Sequence, residues 1–237
     1  KVEEILIFSI LPLLQGIKHV AIGASSPIPA AAAMLMRKRS RGQVRVSILG
    51  STERYTFTDG GRELFDLAGQ GRIDAFFLSG GQIDGEANVN LIGIGDYPQM
   101  SVRFPGSFGS AYLYYVVPRV ILFREEHTSR VFVDKVDFIS AAGGSEPFVH
   151  RPGGPYALVT GRCVMKFNSA EKCFVLASLH PGESVQSVKE NTGFEFICPD
   201  NIPETPLPGS DLLNCLRGSV ADQLAATYPT FVDRVFG

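Results

Sequence analysis

The chain has 237 residues, 45% apolar and 19% charged, which places it in the ordinary globular range with length enough for one large α/β domain. Its 22 basic and 24 acidic side chains leave a net charge of -2, so nothing attracts it to a polyanion and no nucleic-acid partner is expected. Cys163, Cys173, Cys198 and Cys215 form no CxxC pair and have no histidine at ligand spacing, which argues against a zinc site or a disulfide framework and for free thiols in a reducing cytoplasm.

The first element in chain order is the apolar run ILIFSILPLL, Ile5 to Leu14. It is about half the roughly 20 residues a bilayer crossing needs, and Glu3 and Glu4 precede it where a signal peptide would be basic. A core or interface helix is expected, not a membrane span. The chain opens on Lys1 with no methionine, so a missing start is expected. HVAI, His19 to Ile22, reads as a strand ending at Gly23, and the loop that follows holds Ser25 and Ser26 and leads to Pro29, a favoured first helical residue. In the helix PAAAAMLMRKR, Ala and Met supply propensity, and Arg37, Lys38 and Arg39 fall at the C-terminal end, where the macrodipole favours cations. That placement accounts for the basic cluster without a phosphate ligand.

A strand over Val44 to Leu49, a polar loop, a helix over Gly61 to Gln70 and the apolar strand AFFL at Ala75 to Leu78 continue the alternation. Strand, helix, strand, helix, strand predicts a parallel sheet with right-handed crossovers. YLYYVVPRVIL, Tyr112 to Leu122, reads as a buried strand or subunit contact. Beyond residue 150 three short strands follow one another, YALVT, CVMKF and CFVLASL, the last two joined by the turn Asn168 to Lys172, which suggests antiparallel strands beside the parallel ones. Ser184 fits a helix N-cap and Gly193 a stop, and Asp211 to Tyr228 has the helical spacing Leu212, Leu213, Leu216 and Val220, to pack on the main domain or a partner. No repeat or linker divides the chain, so a single domain over 1–237 is expected.

Ligands of open parallel sheets bind beyond the carboxyl ends of the strands. Those ends are GASSP (Gly23 to Pro27), GSTE (Gly50 to Glu53) and SGGQIDGEANVN (Ser79 to Asn90), with FPGSFGSAY (Phe104 to Tyr112) soon after. Glycine lets backbone N–H groups approach a ligand, so such loops suit anions and oxyanions, although Gly and Ser also mark plain turns. The third loop adds the amides of Gln82, Asn88 and Asn90 and the carboxylates of Asp84 and Glu86. These fit ligand contacts and equally fit a tight loop bonded to its own backbone. His127, His150 and His180 are poorer candidates, and without a GxSxG elbow a serine hydrolase is disfavoured.

Together the loops resemble a known family. SGGQIDGEANVNLIG resembles the GxxQVDxxGNxN segment of the β subunits of family I coenzyme A transferases, and the likeness continues through PGSFGSAY, HTSRVFVDKVDFISAAGG and SLHPGESVQSVKENTGFEF. It is nearer to the glutaconate branch, which includes the β subunit of a steroid-ring-opening coenzyme A hydrolase, than to the acetoacetate branch. The resemblance implies a three-layer α/β/α fold with a largely parallel sheet plus antiparallel strands, an α subunit of similar fold and a heterotetramer in the cytoplasm. It implies a coenzyme A thioester as substrate and no tightly bound cofactor, metal or membrane contact. In the family, a glutamate at an early strand end attacks the acyl thioester, forms an anhydride and is converted to a glutamyl thioester.

The departures from the pattern matter. The family glutamate aligns with Gly50 or Ser51, and a serine cannot form that anhydride; Glu53 lies two or three residues on. Phe108 stands between Ser107 and Gly109 in the loop that begins at Gly106, where transferases carry a slim Gly-Ser-Gly-Gly sequence, and Ala87 replaces a usual Gly. The resemblance therefore implies Glu53 or the Ser51 position as catalytic, and Ser25, Ser26, Gln82, Asn88, Asn90, Gly106, Ser107, Phe108 and Gly109 as substrate-binding. Three functions remain open: a transferase subunit using Glu53, a hydrolase or ring-opening lyase whose base lies on the α subunit, and a non-catalytic assembly subunit.

Overall fold

The computed structural model describes residues 1–237. In chain order the elements are α1 (Val2–Ile10), β1 (His19–Ile22), α2 (Pro27–Arg39), β2 (Arg45–Ile48), α3 (Gly60–Gly69) and β3 (Ala75–Leu78). Four two-residue strands follow, β4 (Gln82–Ile83), β5 (Val89–Asn90), β6 (Gly93–Ile94) and β7 (Val102–Arg103), then α4 (Ser110–Val116), β8 (Arg119–Arg124), β9 (Pro155–Thr160), β10 (Cys163–Asn168), β11 (Cys173–Leu179) and α5 (Val185–Glu190). The chain ends in α6 (Ser210–Cys215), a π-turn, α7 (Ala221–Ala225) and α8 (Pro229–Phe236). No helix is long and apolar enough to cross a membrane. Two compact units result, one of residues 1–77 and 206–237, the other of residues 78–205.

In the first unit β1 pairs in parallel with β2 on one side and β3 on the other, as the strand and helix alternation predicts. α1 stops at Ile10 because Pro12 cannot donate to the helical ladder, and Leu11–Leu14 continue as a 3₁₀ turn. Leu6, Ile7, Ile10 and Leu14 retain no exposed area, so the apolar run is a core element. α2 starts at Pro27, two residues earlier than expected, since both Pro27 and Pro29 fit a first turn whose N–H groups have no helical acceptor. Its four alanines, Ala30 to Ala33, are buried, and small side chains let α1 and β2 approach it closely.

The stretch of helical spacing over Asp211 to Tyr228 is helical but interrupted. Gly218 has φ -101 and ψ -105, outside the helical region, and the chain passes through a π-turn between α6 and α7. α7 and the π-turn pack on α2. Arg217 in that turn grips Glu4 of α1 through Nε–Oε1 at 2.6 Å and Nη2–Oε2 at 3.0 Å. This two-pronged contact holds the Glu4 carboxyl down at about 2, below the ordinary carboxylate range, against the opposing effect of burial.

In the second unit β8 runs parallel to β9, and β9, β10 and β11 are antiparallel neighbours, so the expected change of rhythm after residue 150 is present. Asn168 Oδ1 accepts from the amides of Ala170 and Glu171 and shapes the β10–β11 turn. Ser184 caps α5 by accepting from Ser187 N at 3.1 Å. A Cβ on Gly193 would meet Phe132 O at 2.7 Å, which fixes glycine there beyond its value as a stop. The segment Tyr112 to Leu122, read as a buried strand or subunit contact, divides into α4 and β8, because Pro118 ends the helix and starts the strand in extended backbone.

Candidate functional site

The sequence-derived candidates fall into two groups, one in each unit. In the first unit Ser25, Ser26, Ser51 and Glu53 lie at the carboxyl ends of the paired strands β1 and β2. The chain leaves β2 through Gly50, whose φ of +79 suits glycine and whose added Cβ would come within 3.5 Å of Ala24 Cβ, so the β1 and β2 loops touch. Ser26 holds the N-cap position of α2, its carbonyl accepting from Ala30 N at 3.0 Å, and Ser25 is exposed.

Ser51, which with Gly50 is one of the two positions expected from the sequence to align with the family glutamate, is buried. Its Oγ bonds Thr227 Oγ1 at 2.8 Å and accepts from Arg54 N at 3.1 Å. That hydroxyl ties the strand-end turn to the C-terminal segment. Close by, Tyr228 donates its hydroxyl to Gly23 O at 3.4 Å, and burial pushes that phenol up to about 12, so it is a neutral donor near pH 7. Glu53 is exposed on the same turn and takes part in no hydrogen bond or ion pair. Thr227 and Arg54 are partners that sequence reading missed. Thr227 lies far along the chain, and Arg54 was overlooked beside Glu53.

In the second unit the amide-rich loop is a closed network. Asn90 has no exposed area, and its Nδ2 donates to Gln82 Oε1 and Gly93 O, both at 2.7 Å, while Oδ1 accepts from the amides of Ile92 and Gly93. Gln82 Oε1 also accepts from Asp137 N at 3.0 Å. Asp84 accepts from the amides of Glu86, Asn88 and Val136 and from Asn88 Nδ2 at 3.1 Å. Burial raises the Asp84 pKa, opposed by the bonds from Asn88. Asn88 Oδ1 accepts from Gly143 N at 3.0 Å, and Asn88 borders a cleft of about 810 Å³, whereas Gln82 and Asn90 do not line it.

Ala87, where the family usually has Gly, adopts φ +62 with its side chain buried, and Tyr114 donates its hydroxyl to Ala87 O at 2.8 Å. A Cβ on Gly143 would lie 2.1 Å from Glu86 O, so the neighbouring segment must be glycine for the loop to close. The loop Gly106 to Gly109 is anchored at its start, Gly106 N donating to Leu91 O at 3.1 Å, and Ser107 O accepts from Ser110 N at 2.8 Å as α4 begins at its N-cap Gly109. Phe108 is 79% exposed with φ +46, so the ring that departs from the family pattern projects outward.

Arg151 shapes the cleft and was passed over in the sequence as a neighbour of His150. Its guanidinium donates to the carbonyls of Ala142, Gly144, Gly153 and Tyr114 and stacks near the Tyr114 and Tyr115 rings at 5.3 and 5.6 Å. The available signal was an arginine before PGGP, a loop rich in carbonyls that only a forked donor can gather. His127 and His180 are buried in a hydroxyl network: His127 bonds Thr160 Oγ1 at 2.7 Å and Thr192 Oγ1 at 2.9 Å, and His180 bonds Thr205 Oγ1 and Thr160 O. Burial lowers the His127 pKa to about 4, so it is neutral near pH 7.

Residues 4–191 match the family model described as Coenzyme A transferase. A 3-oxoadipate CoA-transferase subunit from Pseudomonas knackmussii is 37% identical over 163 residues, 66% of this chain and 62% of that protein. The cholesterol ring-cleaving hydrolase IpdB subunit of Rhodococcus jostii is 30% identical over 160 residues, again 66% of this chain and 62% of its own length. The match thus spans about six tenths of these relatives. The crystal structure of glutaconate coenzyme A-transferase from Acidaminococcus fermentans superimposes with a TM-score of 0.80 over 92% of this chain and 94% of that one, at 21% identity, a likeness of fold alone. The shared fold is three-layer α/β with parallel and antiparallel strands. On its sequence match over most of its length, the chain belongs to the coenzyme A transferase family.

Proposed function

We propose that this chain is the β-type subunit of a two-subunit enzyme that transfers coenzyme A between acyl groups, with Glu53 as the nucleophile. The observation that carries the reading is the contrast on one turn: the aligned Ser51 hydroxyl is buried and bonded to Thr227, while Glu53 is an exposed carboxylate with no ion pair. Glu53 attacks the thioester carbonyl, the C–S bond breaks, and coenzyme A leaves as thiolate with formation of a mixed anhydride. The thiolate then attacks the glutamyl carbonyl, releases the first carboxylate and forms a glutamyl thioester; the second carboxylate reverses the sequence. Asn88, Ser107, Phe108 and the glycines beside Phe108 are proposed to contact substrate in the second unit, and Ser25 and Ser26 in the first, whereas Gln82 and Asn90 are proposed to hold the loop's shape. The relatives named as subunits support a partner subunit; that the partner has a similar fold, that the assembly is a heterotetramer and that it works in the cytoplasm are parts of this proposal. We regard the whole chain, 1–237, as one subunit domain.

The IpdB relative favours a second reading, hydrolysis or ring opening of a cyclic acyl-CoA with the base on the partner. The two readings part at Glu53→Gln in the assembled complex. Transfer predicts loss of acyl-CoA exchange by about 10³-fold or more with assembly intact. Hydrolysis predicts turnover within about twofold of the unmodified enzyme, and that result would overturn the transferase reading.

A further inference from the structure

A second cavity lies in the first unit, about 260 Å³, lined by Arg37, Lys38, Arg41 and Arg54 together with Met34, Gly42 and Gln223. No carboxylate lines it, and none of the four cations takes part in an ion pair. The macrodipole of α2 accounts for Arg37 and Lys38 but not for the other two. Arg41 reaches the cavity from beyond the helix with a left-handed backbone, φ +52, and Arg54 comes from the turn after β2. Nor are the cations needed to cap the helix, because Met36 O, Arg37 O and Lys38 O already accept from the amides of Ser40, Gly42 and Arg41.

Side-chain bonding leaves donors over. Arg37 spends Nη1 on Gly42 O and Val44 O at 3.0 and 2.8 Å, and Arg54 makes one long bond, Nη2 to Gln223 Oε1 at 3.3 Å. Arg54 Nε is buried without a hydrogen-bond partner. A buried charged donor left unsatisfied is costly, and like charges gathered from two chain segments repel, so the arrangement is best explained by an anion that enters the cavity. Planar guanidinium forks beside a lysine match the oxygens of a multiply charged phosphoryl group better than a single carboxylate.

We infer that the cavity formed by Arg37, Lys38, Arg41 and Arg54 binds a phosphate group, free or carried by a small molecule. The inference rests on the cavity's own lining and not on the reaction proposed at Glu53. Calorimetric titration of the full chain with inorganic phosphate and with pyrophosphate, against chloride at matched ionic strength, is expected to show saturable binding. ADP binding tighter than pyrophosphate would mark a nucleotide as the source, and equal affinity a free anion; either supports the site. Lys38→Glu and Arg41→Glu are each expected to weaken binding by about tenfold or more, while Arg39→Glu, the same change of charge on a residue outside the lining, should stay within about twofold. Should Arg41→Glu fail to fold, Arg41→Ala at this exposed position is expected to weaken binding by about threefold or more. Absence of saturable binding, equal weakening by all three reversals, or unchanged affinity in the lining variants would overturn the inference.

Discussion

The strand-end turn of the first unit and the amide loop of the second use similar residue types to opposite ends. In the loop, Gln82, Asp84, Asn88 and Asn90 point at one another and at backbone amides, and the polar atoms of Asn90 are consumed within the network. At the turn, Ser51 is consumed in the same way, but Glu53 beside it is left open and Arg54 is left partly unsatisfied. A satisfied buried network fixes a shape, and polar groups without partners on a shaped turn are available for chemistry. The comparison teaches that density of polar residues is a poor guide to reactivity, and that the informative quantity is which of them lack a partner.

Four changes break or sharpen that contrast, beginning with the largest. Glu53→Gln should leave stability unchanged within about 0.5 kcal/mol while removing about 10³-fold or more of exchange activity, because it alters a group with no structural partner. Acid comes next. The folded-state pKa of His127 lies at about 4, below its ordinary 6.5, so folding favours the neutral ring. The unfolded chain binds the proton first, and stability contributed by the neutral ring is full above pH 6.5 and lost as pH falls toward 4. The loss is about 3 kcal/mol, read from denaturation midpoints across that window, and His127→Gln should flatten the profile.

Asn90→Ala removes four hydrogen bonds and takes the side-chain acceptor from the amides of Ile92 and Gly93, while Gln82 Oε1 keeps its bond from Asp137 N; the change should cost about 3 kcal/mol by denaturant unfolding. A catalytic defect of Asn90→Ala beyond its loss of folded protein would show that the loop also touches substrate. Ser51→Ala gives the smallest effect, about 1 kcal/mol from the lost bonds to Thr227 and Arg54, with exchange activity kept within about threefold.

Much of the architecture was legible because it rests on local signals. Alternating apolar strands, the proline-led start of α2 and the Ser184 cap each act within a few residues and appear where the sequence places them, give or take the Pro27 start. The kink at Gly218 and the division of Tyr112 to Leu122 were not legible: apolar spacing is compatible with helix or strand over short runs, and packing on α2 decided the C-terminal case. At the candidate site, the strand ends could be read from GASSP and GSTE, whereas the burial of Ser51 could not, because its partner Thr227 stands 176 residues away. Arg151 and Arg54 were hidden for the same reason, their roles depending on carbonyls and cations gathered from separate segments.

The central claim is that Glu53 carries the covalent relay its buried neighbour cannot. Intact-mass analysis of the assembled complex mixed with an acyl-CoA tests it directly. The account predicts a coenzyme A thioester on this chain, reversed by added carboxylic acid and absent from Glu53→Gln. Continued consumption of the thioester with no adduct on this chain would contradict it.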